Sequence, residues 1–163
     1  SRYKIVFEDF AIKKGKEKYK YQFSGSPRSI FSLYIQGYRF SYLEEEKICS
    51  DYIIHRNDGI SEDEQDIKDS EVMVGVNFIE NGKTIISVEE SLLITSHNKV
   101  SYHSHSSWYL GNSMHFQHPN LSNVFELING AEYTIEILTE SQEDLSEKLC
   151  LQPYLVGGSA WGI

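Results

Sequence analysis

Five of the six histidines, His97, His103, His105, His115 and His118, fall in one short region. Imidazole is the side chain best suited to hold a transition metal or to move a proton near neutral pH. Gly111-Asn112 separates two strand-like segments, Lys99 to Trp108 and Ser113 to His118, and predicts a two-residue hairpin loop. Counting outward from a Leu110–Ser113 pair sets Trp108 opposite His115 and His105 opposite His118. His103 is two residues from His105 and therefore on the same face. His103, His105 and His118 thus form the candidate ligand set for a zinc ion with an open fourth position. Against this, the segment from Lys99 to Pro119 contains no Asp or Glu, and metal-bound imidazoles normally lean on a carboxylate or carbonyl behind them. The plainer expectation is a polar strand face with no cofactor, zinc being the alternative.

His103-Ser104-His105 resembles the first metal motif of cupins, but Ser106-Ser107-Trp108-Tyr109 stand where that motif carries its glutamate. Other chemistry is less complete. There is no Gly-x-Ser-x-Gly elbow, and Gly157-Gly158-Ser159 has no base nearby in sequence. The acidic runs Glu44-Glu45-Glu46 and Glu62-Asp63-Glu64 read as solvated loops, since a glycosidase pair must be separated and aimed into a cleft. Asp58, Gly59, Glu62 and Asp63 do not have EF-hand spacing, and phosphate-cradling glycine loops are absent. Trp108, Tyr109 and Trp161, with Tyr102 and Phe116, could form a sugar-stacking platform, although such residues on alternating strands more often belong to a core. The expectation is a protein without enzymatic activity.

The elements that must position these residues are strands. Asn129-Gly130 is a turn signal, and after it Ala131, Tyr133, Ile135 and Ile137 alternate with Glu132, Thr134 and Glu136. One apolar and one acidic face belong to a sheet buried on one side and wet on the other. The same period appears at Tyr19, Tyr21 and Phe23 against Lys18, Lys20 and Gln22, and at Val72, Val74, Val76 and Phe78 before Asn81-Gly82. Further strands are read at Tyr3 to Phe10, Ile30 to Tyr42 with a bulge or bend at Gly37, Lys83 to Val88, Ser91 to Thr95, Leu121 to Ile128 and Lys148 to Val156. Residues 44–69 break the pattern as one acidic insertion, with capping-box spacing at Ser61 and Glu64. The expected fold is all-β: a single-domain antiparallel β-sandwich of about nine strands spanning 1–163, carrying that insertion.

A formal net charge of −9 excludes nucleic acid and anionic membrane surfaces as natural partners. The lysines Lys13, Lys14, Lys16, Lys18 and Lys20 are read as a solvated hairpin face that protects a strand edge. No apolar run approaches the ~20 residues of a membrane-spanning helix. The opening Ser1-Arg2, without Met, reads as the product of removing a tag or a targeting segment, and the second implies export. Cys49 and Cys150 match no metal spacing; in an exported chain they form one disulfide, in a cytosolic one a pair of small buried apolar groups.

The stretch Gly130 to Tyr133, the run to Leu138, and the tail Leu149 to Trp161 with Pro153-Tyr154 and Gly157-Gly158 resemble the C-terminal half of small exported bacterial β-sandwich domains. Several of those are lipoproteins of unknown function. The segment Phe7 to Phe23 is similar in style to their first hairpin. The resemblance implies a periplasmic or envelope location, a lipid anchor upstream, and a binding role. Some acidic periplasmic sandwiches of this size are immunity proteins that neutralise toxins delivered by rival bacteria. The expected function is therefore binding of a protein partner, specifically a basic toxin, by the insertion at Glu62, Asp63 and Glu64. A carbohydrate-binding module using Trp108, Tyr109 and Trp161 and a histidine-based metal protein are the alternatives.

Overall fold

The computed structural model of the chain describes residues 3–25, 30–39, 41–43, 46–48, 70–94, 100–102, 109–110, 113–117, 125–147 and 149–157. In chain order the first strands are β1 (Tyr3–Val6), β2 (Gly15–Ser24), β3 (Ile30–Arg39), β4 (Ser41–Leu43), β5 (Glu46–Ile48), β6 (Ser70–Glu80) and β7 (Lys83–Ile94). They are followed by β8 (Val100–Tyr102), β9 (Tyr109–Leu110), β10 (Ser113–Gln117), β11 (Phe125–Glu126), β12 (Glu132–Ser141) and β13 (Leu149–Gly157). No helix occurs among the described residues, so none there is long and apolar enough to cross a membrane.

The strands form two principal antiparallel sheets. One runs β1-β13-β3-β10-β9, with β11 also on β3; the other runs β2-β12-β6-β7-β8; β4 and β5 pair separately. Their inner faces pack together as a β-sandwich. Phe31, Leu33, Ile35, Leu151 and Leu155 from the first sheet join Val72, Val74, Val76, Phe78, Ile135 and Ile137 from the second in one buried cluster. The thirteen strands among the described residues exceed the nine or so expected, because the additions include pieces of two or three residues. Alternation has no period to show over so short a length.

The alternation expected for β12 holds. Its burial follows the pleat, with Tyr133, Ile135 and Ile137 inward and Glu132 and Glu140 exposed. β12 is central in its sheet, paired with β2 from Glu132↔Ser24 to Ser141↔Gly15 and with β6 from Tyr133↔Glu80 to Ser141↔Val72. Asn81 and Gly82 close the β6–β7 hairpin with φ of 47° and 83°, and Gly130 has φ 83° in the turn before β12. These are the left-handed values that Asn tolerates and Gly adopts freely.

Three expectations need correction. Gly37 is not a bulge: β3 passes through it in continuous register with Leu151 on one side and Met114 on the other. A strand paired along both edges has no slack for an extra residue there. The irregularity lies instead between Phe78 and Ile79, where β7 accommodates Ile85 between Ile86 and Thr84 and leaves it exposed.

β1 and β2 do not form a hairpin. β1 pairs with β13 and β2 with β12, so the link between them crosses from one sheet to the other. Its apolar residues explain why. Phe7, Phe10 and Ile12 are buried, Phe7 packs on Tyr21 and Phe23 at 5.5 Å, and Phe10 packs on Tyr19 at 5.0 Å. Backbone bonds from Phe7 N–H to Pro153 O and between Phe10 and Leu151 tie the link to the first sheet.

The acidic insertion is not irregular from its start, since Glu46–Ile48 pairs with Ser41–Leu43. The remainder, 49–69, lies outside the described residues.

Candidate binding face

The outer face of the β2-β12-β6-β7 sheet is built from the alternate residues that the core leaves out. Register places Lys16, Glu140, Met73 and Ser91 in one row across the four strands; Lys18, Leu138, Gly75 and Glu89 in the next; and Lys20, Glu136, Asn77 and Ser87 in a third. The lysines stand together on β2, an edge strand, and are exposed, as expected of lysines guarding a strand edge.

The third row is a continuous polar chain. Ser87 Oγ donates to Asn77 Oδ1 at 2.6 Å, and Asn77 Nδ2 donates to Glu136 Oε1 at 3.1 Å. Lys18 and Lys20 stand 3.9 and 3.8 Å from Glu136 Oε2. Glu136 is thus satisfied from both sides. Each exposed lysine pair adds only about 0–1 kcal/mol, so the row's significance is directional: its donors run toward Glu136 on β12 from both sides, leaving acceptor lone pairs at the Ser87 end.

Between the rows lies a recess of about 350 Å³, lined by Gly75 together with Lys16, Met73, Leu138, Ser87, Glu89 and Glu140 among others. Glu89 and Glu140 form no ion pair within 4 Å among the described residues. Glu71, farther along the face, accepts from Ser91 Oγ at 2.6 Å. The face therefore combines a neutralised side at β2 with carboxylates on β12 and β7, Glu140 and Glu89, that form no ion pair among the described residues. Its chemistry is acceptor-rich and suited to cations. The acidic surface read from sequence is Glu62, Asp63 and Glu64, and these glutamates are not singled out there, because they are scattered over separate strands. The signals available were the alternation itself and a lone glycine within the valine run of β6.

The outer face of the other sheet differs. Ser32, Cys150 and Tyr154 alternate away from the core and yet are buried. Tyr154 stacks on Tyr34 at 5.4 Å, and Lys4 Nζ sits 4.3 Å from the Tyr154 ring centroid, a cation–π geometry.

Several phenols are perturbed. Burial raises the pKa of Tyr21, reinforced by the carboxylates of Asp9 and Glu8, and burial also raises Tyr19, with Glu17 adding to it. Tyr133 is raised by burial and by its bond to Glu80, against the lowering effect of the Ile128 N–H. These phenols brace the fold; none lines the recess.

The residues singled out from sequence are distributed as follows. Leu110 pairs with Ser113 and Tyr109 with Met114, which is the register counted from the Gly111-Asn112 loop. His103, His105, His118, Trp108, Trp161, Glu62, Asp63, Glu64 and Cys49 lie outside the described residues. Tyr109 is placed by its backbone on β9, and Cys150 is buried on β13. Among the described residues no group of three or more His, Cys, Asp or Glu could hold a metal.

No family model and no curated protein matches the chain. Among solved structures, the crystal structure of the Macrobrachium rosenbergii nodavirus P-domain aligns with 97% of this chain and 94% of that one, at 11% identity and a TM-score of 0.26. A similarity that slight carries no argument.

Proposed function

We propose that this protein is a non-enzymatic, exported binding protein that captures a basic protein partner, in its most specific form an immunity protein against a toxin delivered by rival bacteria. The observation that supports this reading is the outer face of β12, β6 and β7, where Glu89 and Glu140 border a recess and form no ion pair within 4 Å among the described residues, while Glu136 is engaged by Asn77, Lys18 and Lys20. A net charge of −9 adds a long-range field of the same sign, which steers cationic proteins toward the surface and accelerates association. Export is supported by Cys150, which is buried and is not a free thiol.

The test is affinity capture of secreted proteins from competing bacteria, followed by association kinetics at rising ionic strength. A basic partner whose on-rate falls with salt is the expected result, and Glu89→Lys with Glu140→Lys should weaken it. Failure to recover any protein partner, together with measurable turnover of a small substrate, would overturn the proposal.

A further inference from the structure

Gly75 interrupts a strand of β-branched and large side chains, and neither conformation nor packing asks for a glycine there. Its φ is not among the positive values. A Cβ at that position would lie 3.6 Å from Val88 O and 3.8 Å from Leu138 Cβ and Cδ1, ordinary van der Waals distances. Glycine inside a strand loses more entropy on folding than alanine and has nothing to pack, so it weakens β6. What the absent side chain leaves open is the recess, whose 350 Å³ sits at the small end of the range of about 300–1,000 Å³ for ligand sites.

The lining selects the occupant. Met73 and Leu138 offer apolar contact from β6 and β12. Ser87 has spent its proton on Asn77, so its oxygen lone pairs remain as acceptors. Glu89 on β7 and Glu140 on β12 bracket Gly75 from strands roughly 10 Å apart, two sheet spacings. Acceptors on two sides with an apolar wall between them fit a planar, weakly hydrated cation carrying several donors. A guanidinium meets that description better than an ammonium, whose compact charge holds its water more tightly. Lys16, in register with Glu140, lines the same recess and is the cation that competes for it.

We propose that the Gly75 recess receives one arginine side chain of the partner. The proposal rests on the preceding reading for where the arginine comes from, while the recess and its chemistry stand on their own. Arginine is among the residues most often found as hot spots of protein interfaces, so this contact should contribute more to affinity than its neighbours.

The experiment is an amide NMR titration of the full chain with the peptide acetyl-Gly-Arg-Gly-amide and with its citrulline counterpart, which keeps the shape and loses the charge. Saturable shifts are expected at the amides of Gly75, Ser87, Glu89 and Leu138 with the arginine peptide. Affinity should fall at least about tenfold with citrulline and in Glu89→Gln, as loss of a charged hydrogen bond implies, and should rise in Lys16→Ala. Gly75→Leu should abolish the shifts, and Gly75→Ala should raise the thermal midpoint while weakening binding. Glu89→Gln, an exposed change, keeps the test decisive if the leucine variant does not fold. No saturable shift at these amides, or equal affinity for the two peptides, would overturn the proposal. Once a partner protein is in hand, undiminished capture by Glu89→Gln and Gly75→Ala would end the arginine recess and leave the broader binding reading standing. Peptide binding with no protein partner would do the reverse.

Discussion

The Tyr133 hydroxyl and the Glu80 carboxylate meet at 2.7 Å across a register pair of β12 and β6, where Tyr133 is 1% exposed. The same oxygen accepts the Ile128 N–H at 2.7 Å, joining the turn before β12 to the end of β6. Tyr133→Phe would strand both partners, and losing a buried hydrogen-bond partner costs about 1–3 kcal/mol. Urea unfolding should show a lower midpoint with an unchanged slope. An unmoved midpoint would mean that water replaces the phenol at no cost.

Alkaline pH should destabilise the protein through the same class of residue. Tyr19, Tyr21 and Tyr133 all have a pKa raised above the ordinary 10.0, burial being the largest cause in each. A folded-state pKa above the unfolded value means that the unfolded chain loses its phenol protons first. Stability is therefore complete below pH ~10 and declines as pH climbs toward the folded values. Phenolate absorbance and circular dichroism followed together should show these tyrosines ionising as structure is lost. Tyr21→Phe should flatten the dependence, and a melting temperature constant through the alkaline range would contradict the assignment.

Thr139 is the converse case. Its side chain is 3% exposed on the core side of β12, between Glu17 and Val74, and its hydroxyl has no hydrogen-bond partner among the described residues. Valine keeps the shape and removes the orphaned oxygen. Thr139→Val should gain about 1 kcal/mol, a rise of roughly 2–4 °C in Tm for a chain of this size. A fall in Tm by calorimetry would show that the hydroxyl has a role in the folded state.

Export carries its own measurement. A Cys49–Cys150 bridge would close a loop of roughly a hundred residues, worth about 4–5 kcal/mol in the chain-entropy account. Intact mass should increase by two hydrogens on reduction, and the reduced protein should melt at a lower temperature. Two free thiols in freshly isolated protein would remove the disulfide and its support for export.

The proposed binding face is only partly legible in the amino-acid sequence. The alternation in Lys18 to Phe23, Val72 to Phe78 and Ala131 to Ile137 identifies which residues face the core, because the strand pleat has a period of two wherever one side is buried. Gly75 is hidden within that pattern. A missing side chain on a polar face leaves no trace in hydrophobic periodicity, and it becomes a recess only when Leu138 and Glu89 arrive on either side.

What the amino-acid sequence determined by itself was therefore local: strands, their inward faces, the Asn81-Gly82 and Asn129-Gly130 turns, and the lysine-guarded strand β2. Each depends on residues within one turn or one strand. The order β2-β12-β6-β7-β8 was decided only by tertiary structure, since it brings residue 18 beside residue 138 and residue 138 beside residue 75. Any alternating strand can pair with any other that shares its apolar face. The choice among them is made by how Phe7, Phe10 and Ile12 close the side of the core and how both sheets bury their inner faces at once, and that same choice assembles the recess from β2, β12 and the β6–β7 hairpin, three regions distant in sequence.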